Sequence, residues 1–248
     1  MLRFARTTDS APVFARRIIQ LLVGLYLYGL GIALIVRGEL GVAPWDVLTQ
    51  GIAKQTGLGF GLITIITSGI VLLLWIPIRQ RPGFGTLMNA LLVGPFADLS
   101  LWMIPTGLDL WARILMLLGG ILVLAVATGL YIGAHFGPGP RDGLMTGLHR
   151  RTGWRIWIVR TGIEVTVLIT GFLLGGNVGV GTLAFALLIG PLCGYAIPLF
   201  AVKRTTDAVA RGGAPERDVP HPAPGVTPAA FRRCRYRGVQ VRIPSLAG

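Results

Sequence analysis

The stretch GVAPWDVLTQG, residues 41–51, interrupts an apolar chain with glycine, proline and a carboxylate, and a similar stretch, GPGPRDGLMTG, lies 96 residues further on at 137–147. Sliding the chain along itself by 96 positions, without a gap, also places GFGTLMNALLVGP (83–95) on GVGTLAFALLIGP (179–191). Nine of these 13 positions are identical, where composition alone would produce roughly one or two matches. The sequence is therefore a tandem duplication.

The composition of the chain is that of a membrane protein. Its 248 residues are 53% hydrophobic and 13% charged, with a mean hydropathy of +0.69, whereas soluble domains carry about 25% charged residues. A helix needs about 20 apolar residues to cross the ~30 Å hydrocarbon core of a bilayer. We therefore predict an all-α polytopic membrane protein with six transmembrane helices, at 17–37, 59–78, 84–105, 113–134, 156–175 and 180–201.

The duplication and the six spans together predict an inverted repeat. Each copy, 17–105 and 113–201, holds three spans, and because three is odd, the second copy enters the membrane from the opposite side. If the stretches 44–55 and 140–151 also crossed, each copy would have four spans and the repeats would be parallel. We disfavour this alternative because 12 residues of helix cover only about 18 Å.

The net charge of +13 raises the question of a nucleic-acid partner. Nine of the 23 Lys and Arg residues lie after residue 202, and most others lie at span ends, which is typical of topological anchors. We therefore expect a lipid bilayer and no nucleic acid as partner, with a cytoplasmic segment 1–16 and a disordered basic cytoplasmic tail 202–248. This topology places the anchors Arg16, Arg17, Arg79, Arg81, Arg141, Arg150, Arg151 and Arg155 inside, and Arg37, Lys54 and Arg113 outside.

Tryptophan positions follow the same topology, because this residue is enriched at membrane interfaces. We expect one group near the inner boundary, Trp75, Trp154 and Trp157, and another near the outer boundary, Trp45, Trp102 and Trp111.

The two interrupted stretches predict short helices after the first span of each repeat. Gly41 and Gly137 precede them, and Pro44 and Pro140 suit their first turn, because proline has the helical φ and its missing N–H is not needed there. Asp46, and likewise Asp142 in the second copy, then lies where a carboxylate interacts favourably with the helix dipole.

Two interpretations of these aspartates remain open. In the first, they only stabilise the helix start. In the second, the short helices are half-helices that approach each other from opposite faces, and Asp46 and Asp142 are ion, proton or substrate ligands at a midplane site.

Three more ionisable residues lie in predicted spans. Glu164 follows Arg160 by one helical turn, so the two can pair, or Glu164 can titrate during transport. Asp98 lies near the end of the third span, where water can reach it. Neither the histidines nor the cysteines Cys193 and Cys234 have metal-ligand spacing, so we expect no metal site, no cofactor and no redox chemistry.

Three segments resemble the bacterial YczE integral membrane proteins of the wider YczE/YyaS/YitT group: GLGIALIVRGELGVAPWDVLTQGIAKQTGLGFG (29–61), LLLWIPIRQRPGFGTLMNALLVG (72–94) and GPGPRDGLMTGL (137–148). The resemblance covers about residues 14–202. It implies a membrane protein of unestablished activity, with export of small molecules suggested for some relatives, and it assigns no ligand residue.

The favoured function is a small-molecule secondary transporter or exporter whose substrate or ion is bound by Asp46, Asp142, Glu164 and Arg160, with Asp98 as a further candidate. A passive channel built on the paired half-helices is an alternative, as is a non-transporting membrane partner of another protein. We do not expect an enzyme, because the sequence has no HExxH, GxSxG, P-loop or paired-carboxylate signature. Whether the protein forms a homo-oligomer stays open.

Overall fold

The computed structural model describes residues 11–202, and this part of the chain is entirely helical outside its turns. Six of its helices are long and apolar enough to cross a membrane, and two, α2 and α6, are short. The helices are α1 Ala11–Gly38, α2 Pro44–Thr56, α3 Phe60–Ile78, α4 Phe84–Met103, α5 Leu110–Gly133, α6 Pro140–Thr152, α7 Ile156–Leu173 and α8 Val180–Phe200. The predicted all-α membrane protein with six spans is confirmed.

The predicted spans agree with the helices to within three residues, except at the start of α1. This helix begins at Ala11, whereas hydropathy placed its start at 17. Hydropathy detects only the apolar segment, and the helix also includes the preceding residues 11–16, among them the exposed Arg16. The first ten residues and the predicted tail from 203 onward lie outside the described residues.

Both short helices begin at the predicted residues and end one residue beyond the predicted bounds, at Thr56 and Thr152. Pro44 and Pro140 occupy the first turn, and each helix ends at a left-handed glycine, Gly57 or Gly153, both with φ of +73°. Glycine takes this conformation without steric cost. The turns are duplicated as well, because positive φ values recur 96 residues apart at Glu39 and His135, Gly41 and Gly137, Gly57 and Gly153, and Arg79 and Gly175.

The first helices of the two repeats, α1 and α5, form the centre of the bundle and run antiparallel. Gly24 packs on the backbone of Tyr131 near the end of α5, Gly31 on Leu124, and Gly38 on Arg113 near its start. The missing side chains let the two backbones approach closely, as small residues do in membrane helix pairs. Antiparallel first helices are what an inverted repeat requires; the orientation of the repeats across a bilayer stays a prediction.

Two arginines at equivalent positions fasten this helix pair at both ends. Arg17 Nε donates to the Ala134 carbonyl at 2.9 Å, and Arg113 Nε donates to the Gly38 carbonyl at 2.9 Å. Each guanidinium therefore meets the negative end of the other repeat's first helix, where a cation is favoured.

The loops that lead into α2 and α6 are held by the opposite repeat. The Gly85 amide of α4 donates to the Phe136 carbonyl at 3.0 Å, and the Gly181 amide of α8 donates to the Leu40 carbonyl at 2.7 Å. The next glycine of each loop, Gly41 or Gly137, lies against the start of the same helix. These reciprocal contacts fix where the short helices begin.

The outer helices of the two repeats differ. In the first repeat, Gly61 of α3 and Gly94 of α4 are in backbone contact. In the second, the equivalent positions are Trp157, which is exposed, and Gly190, which has open space around it. The helices α7 and α8 therefore make little contact with each other.

Candidate functional site

A cavity of about 180 Å³ lies between the repeats, where α2 and α6 begin. Among the described residues that line it, ten pairs are separated by 96 positions. In three of these pairs both residues carry a carboxyl, hydroxyl or guanidinium group: Asp46 with Asp142, Thr64 with Arg160, and Ser68 with Glu164. The cavity therefore lies on the symmetry axis that relates the two repeats, and a ligand in it would contact both.

Asp46, from the first short helix, pairs with Arg141 from the second. The Asp46 carboxylate is 3.4 Å from Nη1 of Arg141, and its side chain is only 3% exposed. The Arg141 guanidinium also lies over the ring of Trp45, 5.2 Å from its centroid. A cation over an indole face is attracted by the ring quadrupole, so Arg141 ties the starts of α2 and α6 together.

Asp142, the repeat counterpart of Asp46, has a different partner. The Tyr131 hydroxyl of α5 donates a hydrogen bond to its carboxylate. Among the described residues, no basic side chain lies within salt-bridge distance of it. The two aspartates are equivalent in the repeat but have different neighbours. The partner of Asp46 is Arg141, whose repeat counterpart, Trp45, cannot form an ion pair with Asp142.

The third carboxylate of the cavity is Glu164 on α7. Arg160 Nε donates to it at 2.9 Å, which is the pairing one turn apart that the sequence predicts. The two side chains are 49% and 27% exposed, on the side of the cavity where α7 and α8 make little contact. This pair therefore forms the least enclosed wall of the cavity.

The cavity has an excess of acidic groups. It contains the carboxyls of Asp46, Asp142 and Glu164 against the guanidiniums of Arg141 and Arg160. Two ion pairs account for both arginines and two of the acids, which leaves Asp142 without a cationic partner among the described residues. An uncompensated charge at such a position is costly, so a cation bound beside Asp142 would be favourable.

One hydrogen-bond donor in the wall is unused. Trp45 is 7% exposed, and its buried Nε1 has no hydrogen-bond partner among the described residues. An unsatisfied buried donor is unfavourable, and here it belongs to a cavity-lining residue.

Four of the five candidate ligand residues therefore meet in one cavity, together with Pro44 and Pro140. The fifth candidate, Asp98, lies elsewhere: it accepts a hydrogen bond from the Gly61 amide at 2.8 Å. Since Gly61 is in the first turn of α3, Asp98 satisfies one of the free amides of a helix start.

Sequence reasoning missed the surroundings of three residues. Arg141 is no surface anchor, because it faces the cavity and pairs with Asp46. Trp45 and Trp75 are buried inside the protein, 7% and 1% exposed, and their depth in the bilayer stays a prediction. Trp75 Nε1 instead donates to the Pro140 carbonyl at 3.1 Å and positions the start of α6. The other four tryptophans, Trp102, Trp111, Trp154 and Trp157, are exposed.

Comparison with known proteins agrees with this membrane architecture. A family of unknown function, DUF6198, matches residues 15–198. The chain belongs to this family. No solved structure matches the chain.

Relatives from two bacteria match most of this chain and most of their own length, and their names assign no activity. An uncharacterized protein of Haemophilus influenzae is 40% identical over 73% of this chain and 83% of its own. The uncharacterized membrane protein YczE of Bacillus subtilis is 31% identical over 75% of this chain and 90% of its own. The uncharacterized protein YyaS of the same bacterium is 26% identical over 71% of this chain and 90% of its own. The resemblance to YczE and YyaS is thereby confirmed.

Proposed function

We propose that this protein is a secondary transporter of the bacterial cytoplasmic membrane that moves a small molecule and couples its movement to protonation or cation binding at Asp142. The observation that carries the proposal is the position of this carboxylate, which lies in a cavity shared by two half-helices and has no cationic partner within residues 11–202. Sites of this kind, at the interface of repeats and at the starts of short helices, are typical of secondary transporters.

The polar groups of the cavity suit the binding of a small molecule. Its charged side chains form two ion pairs and one carboxylate bonded to a tyrosine hydroxyl, and its other polar side chains include Tyr28, Thr64, Ser68, Asn89 and Thr128. One further donor, the Trp45 indole N–H, has no partner among the described residues. These groups can bind a charged or hydrogen-bonding molecule. A volume of about 180 Å³ is below the usual range of small-molecule pockets, roughly 300–1,000 Å³, so the substrate is small or the cavity widens when it binds.

Topology follows from the same proposal. Both termini lie in the cytoplasm, and the repeats have opposite orientations, so that α2 and α6 approach the cavity from opposite faces. The antiparallel packing of α1 on α5 supports this arrangement.

The test uses purified full-length protein in sealed vesicles with an imposed proton gradient. A panel of small organic cations and anions is offered, and their accumulation is measured with and without the gradient. We expect gradient-driven accumulation of at least one compound. Flux that only equilibrates the compound would indicate a channel, and absence of flux together with a co-purifying protein would indicate a partner role.

The variant Asp142→Asn tests the coupling residue. Because the neutral amide keeps the shape of the carboxylate but cannot bind a proton, we expect gradient-driven accumulation to fall by at least about ten-fold. Asp98→Asn is the matched control, since Asp98 is a carboxylate outside the cavity, and it should accumulate substrate like the unmodified protein. Unchanged transport by Asp142→Asn would refute the role of Asp142.

A further inference from the structure

A second and larger cavity, of about 730 Å³, opens at the C-terminal ends of α1 and α2. It lies between the end of α1, the end of α2, the start of α5 and the loop that joins α7 to α8. The central cavity described above shares none of its lining residues. It is therefore a separate site, and its residues have no role in the proposed transport chemistry.

Three basic side chains and one acidic side chain line this outer cavity: Arg37, Lys54, Arg113 and Glu39. These are the three basic residues that the six-span topology leaves on the outer face, where basic residues are disfavoured as anchors. Because all three line one cavity, membrane topology alone does not explain their positions. Glu39 neutralises only Arg113, at 3.2 Å, so the cavity keeps two positive charges in excess.

The contacts of Arg37 and Lys54 leave donors for a ligand. Arg37 Nη2 bonds to the Leu101 carbonyl, and among the described residues no carboxylate pairs with this guanidinium. Lys54 Nζ bonds to the Gly175 carbonyl at 2.6 Å and is otherwise exposed. Carbonyl contacts hold both side chains in place without neutralising them. An anion in the cavity would gain two charged donors that are already oriented.

We propose that this outer cavity binds a phosphate group attached to an apolar moiety. Guanidinium and ammonium groups are the usual phosphate ligands in proteins. The volume greatly exceeds that of one phosphate, and the remaining wall includes the apolar side chains of Phe60, Leu101 and Phe172. The phosphate comes either from a lipid headgroup of the outer leaflet or from a dissolved organic phosphate.

The test measures thermal stabilisation of the full-length protein in nanodiscs, without any transport assay. In nanodiscs of phosphatidylcholine, whose headgroup has no net charge, phenyl phosphate is titrated against potassium chloride of equal ionic strength. In a parallel arm without phenyl phosphate, one fifth of the lipid is replaced by phosphatidylglycerol. We expect a rise in Tm in at least one arm. A rise with phosphatidylglycerol alone identifies the lipid as the source, and a rise with phenyl phosphate alone identifies the dissolved compound.

Two variants and one control locate the effect. Arg37→Gln and Lys54→Gln keep an amide donor but remove the charge, so each should weaken binding by roughly ten-fold in the responding arm. Arg150→Gln is the control, because Arg150 is the exposed repeat counterpart of Lys54 and lines neither cavity. It should respond like the unmodified protein.

Two results would overturn the proposal: no rise in Tm in either arm, or an equal loss of response in all three variants. Since no flux is measured, the phosphate site can fail while the transport proposal stands, and the reverse also holds.

Discussion

Arg141 connects the two repeats at the level of single side chains. Its guanidinium pairs with Asp46 and covers the ring of Trp45, both from the other repeat. Because Asp46 is almost completely buried, removing its partner would leave a charge without compensation. Such a loss is far more costly than the pair itself is stabilising.

We predict that Arg141→Gln lowers the free energy of unfolding by about 3 kcal/mol. The double variant Asp46→Asn/Arg141→Gln should recover at least about half of this loss, because it removes the uncompensated charge as well. Thermal unfolding in detergent measures both effects, with Arg150→Gln as an exposed control that should change little. A double variant no more stable than Arg141→Gln would contradict the pairing.

Sequence reasoning found the four candidate residues of the central cavity but not its fifth charged group. Asp46 and Asp142 follow prolines at equivalent positions, and Arg160 and Glu164 stand one turn apart in an apolar span, so their pattern is visible without a structure. Arg141 was counted as a surface anchor because a count of basic residues has no information on depth. Its position beside Asp142 in the repeated stretch was the available signal.

At the scale of helices, the repeats differ where their outer helices meet. Gly61 and Gly94 let α3 and α4 touch, whereas the second repeat has the exposed Trp157 at the position equivalent to Gly61, and α7 and α8 make little contact. The gapless alignment of the two halves already contains this glycine-to-tryptophan difference. The alignment could not predict the opening beside Arg160 and Glu164, because this opening depends on the tilt of both α7 and α8.

The equivalent glycines of α4 and α8 give a matched test of this difference. In Gly94→Ala, the added methyl group would collide with the backbone of Gly61, so we expect a loss of about 1–3 kcal/mol in the free energy of unfolding. In Gly190→Ala, the methyl group meets open space, so stability should change by less than about 1 kcal/mol, with alanine favoured by helix propensity. Urea unfolding in detergent, followed by tryptophan fluorescence, compares the two. Equal destabilisation would show that α7 and α8 pack like α3 and α4.

At the scale of the whole molecule, the duplication explains most of the architecture. Three spans and one short helix in each half, the turns at positive φ and the cavity on the axis all follow from one unit used twice. The reciprocal bonds of Arg17 to Ala134 and Arg113 to Gly38 need the two units to be antiparallel in their first helices. The same bonds could not form in a parallel arrangement of the repeats, because both arginines would then lie at one end of the pair.

The inverted arrangement predicts that equivalent loops lie on opposite sides of the bilayer. Reporters fused after residue 81, between α3 and α4, and after residue 177, between α7 and α8, should show cytoplasmic and outer locations respectively. In the full-length chain with Cys193→Ser and Cys234→Ser, the exposed positions in Arg81→Cys and Val178→Cys provide an independent readout. A membrane-impermeant maleimide added to intact cells should label only the second. Labelling of both positions from the same side would mean that the repeats are parallel. In that case α2 and α6 would enter the membrane from one face, and their starts could not meet at a cavity between the repeats.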